Sequence, residues 1–317
     1  MNSNASAIVT LCSRMCVGEG VAPLEPKEWS ALAKLLMDHQ LQPGDLFAFS
    51  EADMKEQLQL AEDQAQRLLR LIDRSASLSF EISQYENMGI SVITRADEQY
   101  PKRLKKVLGN QCPPLFYYAG ELELLNRPTV GYAGSRTVDD ADEDFTRQTV
   151  RKTVQQGYGV VSGGAKGVDS IAEEEALFCG STAIAYLADS LMRKMRSGAV
   201  VRAVQDGKLV LLSVVKPDAG FQAGIAMMRN RYIYAQSSAT VIVRADLNKG
   251  GTWSGATENL KNGWCPEFCW DQERYPGNRA LIQKGAHPVD EHWDGDVLAE
   301  REPQRELKSV QMSIFDL

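Results

Sequence analysis

The sequence has no apolar run approaching the length of a bilayer-spanning helix, and Met1–Thr10 shows no basic stretch leading into an apolar segment. Neither a membrane anchor nor a secretory leader is expected, and the chain reads as cytoplasmic. Cysteine is sparse, six in 317 residues, and the Cys12/Cys16 and Cys265/Cys269 pairs lack the two-residue gap of a zinc ribbon. Reduced, mostly buried thiols are the expectation, with no metal and no cofactor. Nor is there an excess of basic residues: 35 Lys and Arg face 42 Asp and Glu, for a net charge of −7. Such a chain does not coat polyanions through bulk charge, so a polyanion site has to be local, assembled from a few arginines, lysines and glycines.

What is present is a globular composition, 44% hydrophobic and 24% charged with 25 glycines, in a chain long enough for two folded units. Residues 28–41 carry apolar positions at helical spacing until Pro43-Gly44-Asp45 breaks the pattern, and residues 50–74 continue with one or two amphipathic helices. A helical N-terminal domain over 1–86 is expected, without a catalytic constellation. From Gly89 the texture changes. Apolar runs at 90–94, 129–133, 159–162, 182–187, 209–214 and 239–243 are separated by glycine turns and by helical patterns such as 141–156 and 168–179. Strand, glycine turn and helix in repetition predict an α/β domain over 87–290 with a doubly wound, mostly parallel, Rossmann-like sheet. Ligands of such sheets bind outside the carboxyl ends of the strands, where these glycines fall. Residues 291–317 read as a polar linker ending in a terminal peptide.

Four clusters are suited to phosphate. Gly134-Ser135-Arg136 follows a strand and precedes a helix, so backbone N–H groups and a guanidinium can face an anion. Ser162-Gly163-Gly164-Ala165-Lys166 repeats that placement with a hydroxyl and an ammonium, although it lacks Walker A order. Asp169 just beyond it suits a helix N-cap. Arg229-Asn230-Arg231 sets two cations near a helix start, where the helix dipole disfavours them unless an anion or partner compensates. Gly251-Thr252 offers further backbone and hydroxyl donors. Tyr232, Tyr234 and Trp253 are positioned either to stack on bases or to fill the core.

In series, these motifs with Asp97, Tyr100-Pro101, Leu104, Pro113 to Phe116, Gly120 and the late Asn278, Leu281 and Gly285-Ala286 resemble the DprA/Smf family across residues 90–287. The resemblance implies a Rossmann-like domain that binds single-stranded DNA in a basic pocket without turnover, forms a homodimer and partners a RecA-type recombinase. Arg136, Lys166, Arg229 and Arg231 match the pocket by position. The chain departs from the family at Ala172-Glu173, where a histidine is usual, and at Gly224 to Met228, which replace a proline-rich approach. An alternative from the same superfamily is a nucleotide-binding sensor or a LOG-like nucleoside-monophosphate hydrolase, for which Gly250, Gly251 and Glu258 suggest the motif with the glutamate one residue too far along. At the C-terminus Gln311, Ile314 and Phe315 resemble the pentapeptide that docks on the bacterial sliding clamp.

Overall fold

The computed structural model describes residues 1–17 and 21–297; Gln311, Ile314 and Phe315 lie outside that range. The helical segment comprises α1 (Ser3–Cys12), α2 (Pro26–Asp38), α3 (Glu51–Gln57), α4 (Glu62–Asp73) and α5 (Ser75–Glu86). Local chemistry starts these helices. Pro26 occupies the first turn of α2, where its missing N–H costs nothing, and Glu28 accepts from the Glu25 N–H at 2.8 Å. Ser50 and Asp53 cap α3 reciprocally. Helix α1 falls inside the helical region expected over 1–86, in a stretch where no apolar periodicity was singled out.

The α/β part runs β1 (Ser91–Thr94), α6 (Lys102–Leu108), β2 (Leu115–Ala119), β3 (Thr129–Ala133), α7 (Asp140–Gln155), β4 (Gly159–Ser162), α8 (Val168–Phe178) and β5 (Ala183–Leu187). It continues with α9 (Leu191–Lys194), α10 (Gly198–Gln205), β6 (Leu209–Ser213), α11 (Ala223–Gln236), β7 (Ala239–Ile242), α12 (Gly250–Asn262), β8 (Glu267–Trp270), α13 (Pro276–Gln283) and β9 (His287–Val289). The nine strands form one sheet in the order β1-β2-β6-β5-β4-β3-β7-β8-β9. From β6 to β9 all neighbours are parallel, whereas β1 with β2 and β2 with β6 are antiparallel. The expected mostly parallel, doubly wound α/β fold is therefore present, extended at one edge by an antiparallel pair.

Every residue of β5 and β6 is buried, because helices cover both faces and leave no solvent side for alternation. Along β5, Ala183, Ala185 and Leu187 face the helical segment, while Ile184 and Tyr186 face α6 and α11. The helical segment does not form a core of its own: Ile8, Leu11, Met15, Leu36, Met54 and Leu71 share one apolar cluster with Leu115, Tyr117, Ala185 and Leu211 of the sheet. Arg74 ties it together by donating to the carbonyls of Met15 and Ser13 at 2.7 and 2.8 Å. Residues 291–297, read from composition as the head of a linker, are instead anchored. Lys152 donates to the Glu291 carbonyl at 2.7 Å, and Val297 is buried against the α7 side of the core. Their few apolar positions are enough to fasten a short strap, which a composition average does not register. Among the described residues no helix is long and apolar enough to cross a membrane.

The chain winds from β3 outward through β4, β5 and β6, then returns to lay β7 on the other flank of β3. The crevice outside the carboxyl ends of β3 and β7 is thus the topological switch point.

Candidate phosphate-binding site

Two loops and two helices converge on this crevice. The loop after β3 carries Gly134, Ser135 and Arg136; the loop after β4 carries Gly163, Gly164 and Lys166. They touch directly: a Cβ on Gly134 would meet the Val168 side chain at 2.4 Å, and one on Gly167 would meet the Ser135 carbonyl at 2.3 Å. Glycine is required at 167 also because its φ is +80°. The start of α12 closes the far side, where Thr252 Oγ1 donates to the Gly134 carbonyl at 3.0 Å and Asn230 Nδ2 to the Gly251 carbonyl at 2.9 Å.

Arg229 enters from α11 and lies over the β4 loop so closely that a Cβ on Gly163 would stand 1.2 Å from its Nη1. It is only 5% exposed, yet its Nε and Nη1 have no hydrogen-bond partner among the described residues. Asp169 lies 3.8 Å from Nη1, near enough for charge attraction but beyond hydrogen-bond reach. Burial lowers the guanidinium's proton affinity and raises the carboxyl's, and the mutual attraction opposes both shifts. A buried guanidinium with two unmade hydrogen bonds is costly, and an anion arriving at the crevice would supply them.

The glycine loop's backbone is committed differently from the expected cradle. Asp169 Oδ2 accepts from the N–H of Gly163 at 3.0 Å and is 3.4 Å from that of Ala165, while Ser162 Oγ accepts from Gly164 N–H at 3.3 Å. Asp169 therefore staples this loop instead of capping α8, whose N-cap is Gly167. Ser162 is fully buried and donates to Glu173, which Lys194 also reaches at 3.4 Å. Ser162 is a support beneath the site, because its hydroxyl already donates to an internal carboxylate.

Cations outnumber carboxylates around the crevice. Arg136 and Lys166 are exposed, and Lys194 donates to the Gly164 carbonyl at 3.2 Å. The guanidinium of Arg136 sits 4.9 Å from the ring centre of Phe221, an aromatic 48% exposed just before α11. Phe221 and Lys194 were not singled out from the sequence. Each comes from a different crossover, so only the folded arrangement brings them to these loops.

Arg231 departs from the expected surface. It is two residues beyond Arg229 on a helix, about 200° around the axis, and its Nη2 donates to Glu258 at 3.1 Å while Nη1 reaches Gln111 at 3.2 Å. Tyr232 and Tyr234 are 2% and 1% exposed. Tyr232 packs edge-on against Phe116, with ring centres 5.5 Å apart, so both tyrosines belong to the core and not to a stacking surface. Trp253 is partly buried against the cluster under α12. Glu258, the residue of the hydrolase-like alternative, is held by Arg231 two turns into α12, away from that helix's start.

A doubly wound, mostly parallel sheet with glycine turns at its switch point defines the Rossmann-like class of α/β proteins. Within that class the chain belongs to the DNA recombination-mediator protein A family, which matches residues 91–299. It is 25% identical over 286 residues to the DNA processing protein DprA of Bacillus subtilis (strain 168), spanning 84% of this chain and 93% of that one. It is 26% identical over 217 residues to protein Smf of Synechocystis sp. (strain ATCC 27184 / PCC 6803 / Kazusa), covering 66% of this chain and 54% of the relative. An X-ray structure of DprA from Streptococcus pneumoniae superposes with a TM-score of 0.72 at 20% identity, covering 95% of this chain and 99% of that one, so the helical segment and sheet form a shared fold. A Helicobacter pylori DprA structure, described for its single-stranded DNA binding mode, matches with a TM-score of 0.50 at 27% identity, covering 63% of this chain and 90% of that one.

Proposed function

We propose that the protein binds single-stranded DNA at the β3/β7 crevice through backbone phosphates, as a non-catalytic accessory in DNA processing and recombination. The observation that carries this reading is Arg229, buried with Nε and Nη1 unpartnered beside exposed Arg136 and Lys166. Phosphate oxygens accept from a guanidinium fork and bring no sequence preference, which fits a protein that tracks a strand without reading its bases. Phe221, exposed beside Arg136, gives a neighbouring base a face to stack on. The B. subtilis and H. pylori relatives support the assignment by name and by described binding mode. Against a hydrolase, the carboxylate at 258 is engaged by Arg231.

The fuller proposal is a homodimer that hands its strand to a RecA-type recombinase and docks on the sliding clamp through Gln311, Ile314 and Phe315. It rests on the family and on the terminal sequence. The primary test is equilibrium binding of a labelled oligothymidylate and of the matching duplex, for wild type and Arg229→Gln. Single-strand affinity should fall about tenfold or more in the variant, with the fold retained by circular dichroism. Equal affinity in variant and wild type would remove the crevice as the binding site.

A further inference from the structure

The amino ends of β3 and β7, at the opposite pole of the sheet from the crevice, border a second feature. A cavity of about 330 Å³ opens there between the start of α6, the segment leading into β3 and the end of α11. Among the described residues its charged lining is Lys102, Arg103 and Arg127, with no Asp or Glu. In a chain of net charge −7 this is a local inversion of sign.

We propose that this cavity is a second anion site that takes a phosphate ester, independent of the crevice at the carboxyl ends. Lys102 and Arg127 are exposed, and neither forms a salt bridge with a described residue. Arg103 is fixed at the wall by donating through Nη2 to the Ser237 carbonyl at 2.5 Å. Gln236 stiffens the floor: its Nε2 donates to the Leu125 carbonyl at 2.8 Å and its Oε1 accepts from Tyr186 at 3.3 Å. The amide is thereby spent and Arg103 is held at the wall, so the ligand-facing groups are Lys102 and Arg127. The like charges of Lys102 and Arg127 repel, and an anion with several oxygens offsets that repulsion while accepting from both. The cavity volume suits a phosphate with its attached sugar, in the lower range of small-ligand pockets. The Arg127 guanidinium and the Lys102 ammonium match the tetrahedral, multiply accepting phosphate group. A free nucleotide and a nucleic-acid strand both present that group.

The test uses the full chain with two labelled probes, adenosine triphosphate and an oligothymidylate long enough to reach both poles. The variant is Lys102→Glu with Arg127→Glu; the control reverses an equal charge on the helical segment, Lys27→Glu with Arg70→Glu. A milder pair, Lys102→Gln with Arg127→Gln, guards against any folding defect, and melting curves accompany all three. The cavity variants should lose affinity about tenfold for at least one probe and lower the salt slope by about 1 to 2, with the control near wild type. Loss for the oligothymidylate alone identifies a strand contact, and loss for both probes a general phosphate-ester site. Wild-type affinity and slope in the cavity variants for both probes, an equal loss in the control, or no binding of either probe by the wild type would each overturn the proposal. An Arg229→Gln protein tested alongside separates the two sites: failure of the crevice reading leaves the cavity-dependent loss in place.

Discussion

At Gly163 one missing methyl decides where a charge can stand. An alanine Cβ would lie 1.2 Å from Nη1 and 2.1 Å from Cζ of Arg229, so the guanidinium, as the flexible end of a side chain, has to leave while the backbone stays. Gly163→Ala should therefore cost single-strand binding nearly as much as Arg229→Gln, about tenfold, with little change in melting temperature. Wild-type affinity in Gly163→Ala would show that this guanidinium position is not used. Glu267 presents a different residue-scale consequence. Burial raises its carboxyl from 4.5 to about 8, although Asn259 donates to it. Because the folded state favours the neutral acid, the stability it contributes is full below pH 4.5 and is lost as pH rises toward 8. Glu267→Gln removes that loss, so thermal melts across the window should show the variant gaining on the wild type by up to a few kcal/mol. Parallel pH profiles for the two proteins would contradict the shift.

At the scale of elements, α11 distributes three consecutive polar residues to three destinations. With about 100° between successive residues, Arg229 reaches the β4 loop, Asn230 the start of α12 and Arg231 the middle of α12. Arg231→Ala should thus leave strand affinity within about threefold of wild type, since its guanidinium is engaged by Glu258 and Gln111 away from the crevice loops. Asn230→Ala should lower stability by about 1 kcal/mol through the lost tie to Gly251. A tenfold loss of strand affinity in Arg231→Ala, measured in the same titration, would reinstate it in the site. The two loops of the crevice depend on each other as strongly. Gly167→Ala combines a φ of +80° with a clash at the Ser135 carbonyl, and should destabilise by roughly 1–3 kcal/mol in denaturant titration, moving both loops together.

For the whole molecule, binding by a local cluster in a chain of net charge −7 has a measurable signature. If Arg136, Lys166 and Arg229 each neutralise one phosphate, the logarithm of affinity should fall against the logarithm of salt with a slope of about −2. A slope near zero would mean that phosphates are not what is held. The proposed clamp contact is separable from this. Alanine at Gln311, Ile314 and Phe315 together should abolish clamp binding in a pull-down while leaving the single-strand titration unchanged, and undiminished clamp binding would end that proposal.

The sequence by itself determined the doubly wound α/β class and the positions of the strand-to-helix turns. Glycine-ended apolar runs alternating with 3.6-residue periodicity are local signals, and they read out local conformation. It also placed Gly134, Arg136, Gly163, Lys166 and Thr252 at or just beyond those same turns, whereas Arg229, expected near a helix start, lies in the middle of α11. Tertiary structure alone decided which of these residues face the crevice. Rotation around α11 sent Arg231 to Glu258, and close packing buried Tyr232 and Tyr234. The crossover from β5 to β6 brought Lys194 to the loops, and the return from β6 to β7 brought Phe221. Asp169 became the staple of the glycine loop because the turn folds back onto its own carboxylate, and the helical segment joined the sheet's core because five short helices have too little apolar surface to bury alone. Each of these outcomes depends on contacts between residues far apart in the chain, which no local window of sequence contains.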